Sequence, residues 1–198
     1  MDDRIELKEE LAAGAAQQDV LKTDAFEIAS VEPVGTAPDA DGNPRQVVAG
    51  KEASGTVVGY AAIGTAQGYS SRIEVMVAVS ADLTHVVHIK VLKQQETPGL
   101  GARMTERPAS MTLWQAICSI GSGKGCADPP GAPRFQAQFD GKAFGELKVF
   151  TGSGNEGISA MTGATISSEA VTYAVKEAFD IIRQAVKQVD GPGEEPDG

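Results

Sequence analysis

The sequence predicts an α+β domain: an antiparallel sheet packed by a long C-terminal helix, with an additional N-terminal helix. Three observations carry this. Runs rich in Val and Ile recur at residues 55–63, 73–79 and 86–92, with the length and composition of strands. Ser80, Ala81 and Asp82 separate the last two runs, so residues 73–92 read as a hairpin. Residues 167–189 place Val171, Ala174, Val175, Ala178, Ile181, Ile182, Ala185 and Val189 at helical spacing, the apolar stripe of a helix lying on a sheet.

The remaining elements follow in order. Residues 3–21 read as a helix with Asp2 and Asp3 at its start, where the dipole favours negative charge, and a thin stripe of Ile5, Leu11, Ala12 and Ala15. Residues 34–52 are polar and rich in turn formers (Pro38, Asp39, Asp41-Gly42-Asn43-Pro44), which reads as a connector. Residues 67–71 form the loop into the hairpin, and residues 94–103 form a loop marked by Gly and Pro. Residues 111–120 predict a short helix with Trp114 in the core. Cys118 and Cys126 share a Gly/Ser-rich stretch, where a local disulfide and two inert thiols both fit. Residues 148–151 read as a short strand, and residues 190–198 as a disordered acidic tail. The expected organisation is therefore an N-terminal helix and connector over 1–54, one domain over 55–189 and a tail over 190–198.

Charge and hydropathy exclude several functions. Across 198 residues, 17 Lys plus Arg against 27 Asp plus Glu give a net charge of −10, which repels a phosphate backbone and an anionic lipid surface. No apolar run approaches the roughly 20 residues of a membrane-spanning helix. His85 and His88, three apart on a strand, point to opposite faces, so no shared metal ion is expected. With both histidines in one strand, no nucleophile–base arrangement of a hydrolase can be assembled and no catalytic residue is assigned.

Two segments carry chemistry. Met161-Thr162-Gly163-Ala164-Thr165-Ile166-Ser167-Ser168 places small and hydroxyl residues just before the strongest helix. Ser167 or Ser168 can cap that helix, and Glu169 suits its first turn. A ligand anion can also approach there, at the helix N-terminus. Glu96-Thr97-Pro98-Gly99-Leu100-Gly101 follows a strand; Pro98 and Gly99 fit the central positions of a type II turn. Such a rigid loop can present donors to a planar ring, and Glu96 is placed to brace it by accepting N–H bonds. Tyr69 can stack on a ring or line its own loop.

Together these motifs, with Gly68-Tyr69 and Ile73-Glu74-Val75-Met76-Val77, resemble the FMN-binding domain family over residues 55–189. That family includes the G subunit of the Rnf complex and the C subunit of the sodium-pumping NADH:quinone reductase. The resemblance implies FMN held covalently through a phosphoester to Thr165, with Thr162, Gly163, Ala164 and Ser167 around the phosphate. It implies that Thr97, Pro98, Gly99, Leu100 and Gly101 lie along the flavin ring, near Glu96 and Tyr69. It further implies an electron-relaying domain of an Rnf-type ferredoxin:NAD oxidoreductase, one redox subunit rather than a complete enzyme. The other membrane subunits and a flavin transferase would be its partners. It would sit on the extracytoplasmic (periplasmic) face, held by a membrane helix removed from before residue 1. The family's attachment pattern, Asp-x-x-Ser/Thr-Gly-Ala-Thr/Ser, has its Asp at the position of Ser159, which cannot supply that charge. A noncovalent FMN-binding sensory module and the quinone-reductase subunit are the alternatives.

Overall fold

The computed structural model describes residues 29–106, 133–151 and 157–189. Five strands, β1 (Ser30–Pro38), β2 (Pro44–Lys51), β3 (Val57–Gln67), β4 (Arg72–Ser80) and β5 (Val86–Lys93), form one antiparallel sheet in sequential order. A short helix α1 (Arg134–Ala137) follows, then a two-residue parallel pairing of β6 (Val149–Phe150) with β7 (Ile158–Ser159). The 25-residue helix α2 (Thr165–Val189) completes the domain. The predicted hairpin over 73–92, the strand near 148–151 and the long helix are all present, and the α+β class stands. The predicted N-terminal helix, the helix around Trp114, both cysteines and the tail lie outside the described residues.

The polar connector expected over 34–52 is instead most of a β-hairpin, so the sheet extends N-terminally of residue 55. Its turn chemistry disguised it. β1 is an edge strand, which tolerates Pro33 beside a bulge between Pro33 and Gly35, and prolines also close the two strands at Pro38 and Pro44. Asp39 organises the turn: its Oδ1 accepts the Asn43 N–H at 2.8 Å and the Asp41 N–H at 3.0 Å, and its Oδ2 takes Arg45 Nε at 2.9 Å. Burial alone would raise the Asp39 pKa, but these bonds and the Arg45 charge hold it below the usual carboxylate range.

α2 lies on one face of the sheet. Val171, Ala174, Val175, Ala178 and Ile182 share a core with Ala62, Val75, Val77, Val79 and Ile89. β4 is buried on both faces from Val75 to Ser80, with Met76 and Ala78 forming a second cluster with Val48 and Ala61 on the other side. The helix comes closest at Gly64 on β3, where an added Cβ would sit 1.9 Å from the Ala174 carbonyl oxygen. Beyond Ala61, β3 has no partner in β2, and Glu177 of α2 takes the Thr65 N–H at 2.5 Å and the Ala40 N–H at 3.1 Å. The helix is thus fixed to the sheet by contact and by a carboxylate that satisfies backbone donors. Among the described residues, no helix is long and apolar enough to cross a membrane.

Gly64→Ala is expected to cost about 3 kcal/mol by forcing α2 off the sheet. Thermal unfolding should then fall by roughly 6–12 °C at this chain length; a midpoint within about 2 °C of wild type would show that the helix gives way without cost.

Candidate functional site

The strand β5 delivers the chain into the loop that begins at Gln94. Leu100 N–H donates to the Thr97 carbonyl at 3.1 Å, with Gly99 at φ +76° in the second central position, as a type II turn after Pro98 requires. A short 3₁₀ turn (Gly101–Thr105) then leads away. Inside this loop lies Glu96, 6% exposed. Its Oε1 accepts the N–H groups of Ser70 at 2.9 Å and Ser71 at 3.0 Å, and its Oε2 accepts the Ser167 hydroxyl at 2.6 Å. Glu96 does accept N–H bonds as expected, but from the Ser70–Ser71 loop rather than from its own loop, which it ties to that loop and to α2. Glycines make room for it: a Cβ on Gly68 would lie 2.6 Å from Oε1, and one on Gly101 would lie 2.8 Å from Oε2. Burial alone would raise the Glu96 pKa. The Ser167 hydroxyl and the N–H groups of Ser70, Ser71 and Tyr69 outweigh it and hold the group below the ordinary glutamate range.

The facing segment is a turn into α2. Gly163 has φ +75°, and Ala164 N–H donates to the Met161 carbonyl at 2.9 Å. The expectation that Ser167 or Ser168 caps the helix is corrected: α2 starts at Thr165, and both serines are buried inside it. Ser168 Oγ accepts the Met161 N–H at 3.0 Å and donates to the Ala164 carbonyl at 2.9 Å, so it staples the turn instead. Glu169 likewise lies beyond the first turn. No acceptor among the described residues meets the N–H groups of Thr165, Ile166 and Ser167, the first of the helix.

The two segments converge on one cavity of about 460 Å³, lined by Tyr69, Glu96, Thr97, Leu100, Gly101, Gly163, Ala164, Thr165, Ile166 and Ser167. Of the residues expected at the site, Thr162, Pro98 and Gly99 are exposed but do not contribute to its wall. Tyr69 and Leu100 are exposed at 72% and 43%, as is Ile166 at 52%, so the wall offers apolar surface to a ligand. Ile166 was missed; an apolar residue on the outward side of a helix's first turn was its only signal. Ser159 is half-buried in β7, where its backbone N–H meets Gln138 Oε1 at 2.8 Å. The histidines stand apart, His85 beside Thr84 Oγ1 and His88 on Asp140, each at 2.9 Å.

Residues 68–180 match the FMN-binding domain family. The chain is 30% identical over 168 residues, covering 84% of itself and 74% of the relative, to the G subunit of an ion-translocating oxidoreductase complex of Methanosarcina acetivorans. It is 33% identical, covering 72% of itself and 57% of the relative, to the G subunit of a Na(+)-translocating ferredoxin:NAD(+) oxidoreductase complex of Acetobacterium woodii. It thus spans about three quarters of the first relative's length and little more than half of the second's. The fold is similar to the crystal structure of NqrC from Shewanella oneidensis, with a TM-score of 0.62 at 15% identity, covering 93% of this chain and 98% of that one. It also resembles the C subunit of the Na(+)-translocating NADH-quinone reductase from Parabacteroides distasonis, with a TM-score of 0.53 at 18% identity, covering 96% and 98%.

Because its folded pKa is lowered, Glu96 contributes stability that is fully present above the unfolded value of about 4.3 and lost as pH falls through the folded value. Glu96→Gln should cost about 2 kcal/mol at pH 7, where charged hydrogen bonds are replaced by an amide facing N–H donors. In denaturant titrations this difference should shrink as pH falls below about 4; a difference constant with pH would contradict an ionised Glu96.

Proposed function

Because this chain belongs to the FMN-binding domain family, we propose that it is the FMN-carrying G subunit of an Rnf-type ion-translocating oxidoreductase complex, relaying electrons within it. The observation that carries this is the convergence of the Thr97–Gly101 loop and the α2 N-terminus on one cavity, with Thr165 in its wall. The residues fit the cofactor. Leu100 and Ile166 offer apolar surface to a flat ring, and Tyr69 lies on the same wall. The N–H groups of Thr165, Ile166 and Ser167 stand ready to receive a phosphate at the positive end of a 25-residue helix. Bound FMN supplies the electron-carrying chemistry, and the chain binds, orients and shields it.

The Thr165 hydroxyl is the proposed point of attachment. Thr165 is half-buried in the cavity wall, beside the Gly163 turn that lets a phosphate approach the backbone. A phosphoester there, made when a flavin transferase moves the flavin phosphate from an activated pyrophosphate donor to the Thr165 oxygen, breaking the pyrophosphate bond and releasing the nucleotide and the hydroxyl proton, would keep the cofactor in a compartment without free flavin. The extracytoplasmic face, a membrane helix before residue 1 and the neighbouring membrane subunits complete the proposal; the resemblance of the two motifs supports them. The Rnf-type assignment is preferred to the quinone-reductase subunit because relatives named as G subunits of ion-translocating oxidoreductase complexes are 30–33% identical, against 15–18% for the solved quinone-reductase structures. Ser159, where the attachment pattern has Asp, favours a second reading in which the same cavity holds FMN reversibly.

Mass spectrometry of protein co-expressed with a flavin transferase should show one added FMN phosphoester, abolished in Thr165→Ala. Unmodified wild type that still binds FMN reversibly would refute attachment and leave the noncovalent reading. Ser159→Asp should raise the modified fraction in the same assay; an unchanged fraction would show that the missing carboxylate does not limit attachment.

A further inference from the structure

We infer that Glu96 is a redox-tuning residue: a fixed negative charge in the cavity wall that holds bound flavin toward its oxidised form. This rests on the FMN reading above and extends it to one side chain. Among the described residues of the wall, Glu96 is the only carboxylate, and no Lys, Arg or His is present. Its partners are all neutral donors: the Ser167 hydroxyl at 2.6 Å and the N–H groups of Ser70 and Ser71 at 2.9 and 3.0 Å. The charge is therefore held in place but not cancelled. At 6% exposure it is weakly screened by water and salt, so its field acts on whatever occupies the cavity. Gly68 and Gly101 leave room for both carboxylate oxygens, and the three hydrogen bonds hold the side chain there. A charge fixed in this position opposes the addition of electrons to a group beside it. The Ser167 hydroxyl moderates that effect by drawing the carboxylate's density toward α2.

A brace and a charge make different predictions. The test is a spectroelectrochemical titration of the FMN-loaded protein at pH 8, with dithionite as electron donor and a reference dye reporting the poise. It reads the bound cofactor whether or not Thr165 is esterified. At the poise where wild type is half reduced, Glu96→Gln should show a reduced-to-oxidised ratio about tenfold higher, the scale of removing one poorly screened charge. Glu96→Asp keeps the charge and should stay within about threefold of wild type. Ser167→Ala strips a donor from the carboxylate and should shift the ratio the opposite way, toward oxidised flavin. Glu96→Gln with flavin bound and an unchanged ratio would overturn the inference. So would equal shifts in Glu96→Gln and Glu96→Asp, which would mark a brace alone. If Glu96→Gln retains no flavin, Ser167→Ala decides: a more oxidised cofactor supports the inference, and an unchanged or more reduced one overturns it. Wild type that takes up no FMN at all would sink the cofactor reading beneath it, an outcome distinct from every other arm.

Discussion

The site depends on one buried carboxylate. Glu96 joins three stretches of chain that are far apart in sequence: the Ser70–Ser71 loop before β4, its own loop after β5, and the first turn of α2 at Ser167. A buried carboxylate is costly unless each oxygen is satisfied. Here every donor comes from a segment that must be in place for the cavity to exist, so the cost of leaving Glu96 unpaired becomes a penalty on any other loop arrangement. Neutral donors make the three-way junction without a cation, which keeps both the geometry and the charge. The glycines at 68 and 101 follow from the same constraint, since a Cβ at either would collide with the carboxylate.

That junction works only if α2 arrives at a fixed place, and the sheet fixes it. Gly64 lets the helix backbone lie against β3 at Ala174, closer than any side chain would permit. Glu177 adds a polar tie by capping the Thr65 N–H where the pairing of β3 with β2 has ended. Helical spacing separates Ala174 from Thr165 by nine residues, so the helix N-terminus projects about 13 Å from this contact, at 1.5 Å per residue. A tilt of the helix on the sheet would move Ser167 away from Glu96. The core packing and the site are therefore one mechanical unit.

Much of this was legible in residue patterns, and the failures have physical causes. β4, β5 and α2 declared themselves because their burial is strong: β4 is covered on both faces, and α2 carries an unbroken apolar stripe. The β1–β2 hairpin did not, because an edge strand tolerates prolines and its turn is built from Asp39, Asn43 and Arg45, residues that read as loop. β7 is two residues long and pairs in parallel with β6, too short for any periodicity. At the site, the motifs located the loop and the helix N-terminus, but propensity misassigned Ser167 and Ser168 as caps. Their hydroxyls instead serve the junction and the turn, tasks defined by Glu96 and Met161 rather than by local sequence.

The same wall gives a physical reason why the proposed covalent bond would suit this cavity. Phosphate sites that retain a ligand by affinity commonly use Arg or Lys, whose charge-assisted bonds are the strong ones. Among the described residues this wall has none; its one formal charge is negative, and the chain as a whole carries −10. A phosphate at the start of α2 would meet neutral hydroxyl and N–H donors and a helix dipole, the dipole contributing about 0.3–1 kcal/mol per charge at an exposed terminus. A basic residue would hold the phosphate harder, but it would also pull against the negative field that Glu96 would set on a bound ring. The proposed ester through the Thr165 hydroxyl would resolve that conflict: it would retain the cofactor without placing a cation in the wall, leaving retention and electrostatic tuning to different atoms.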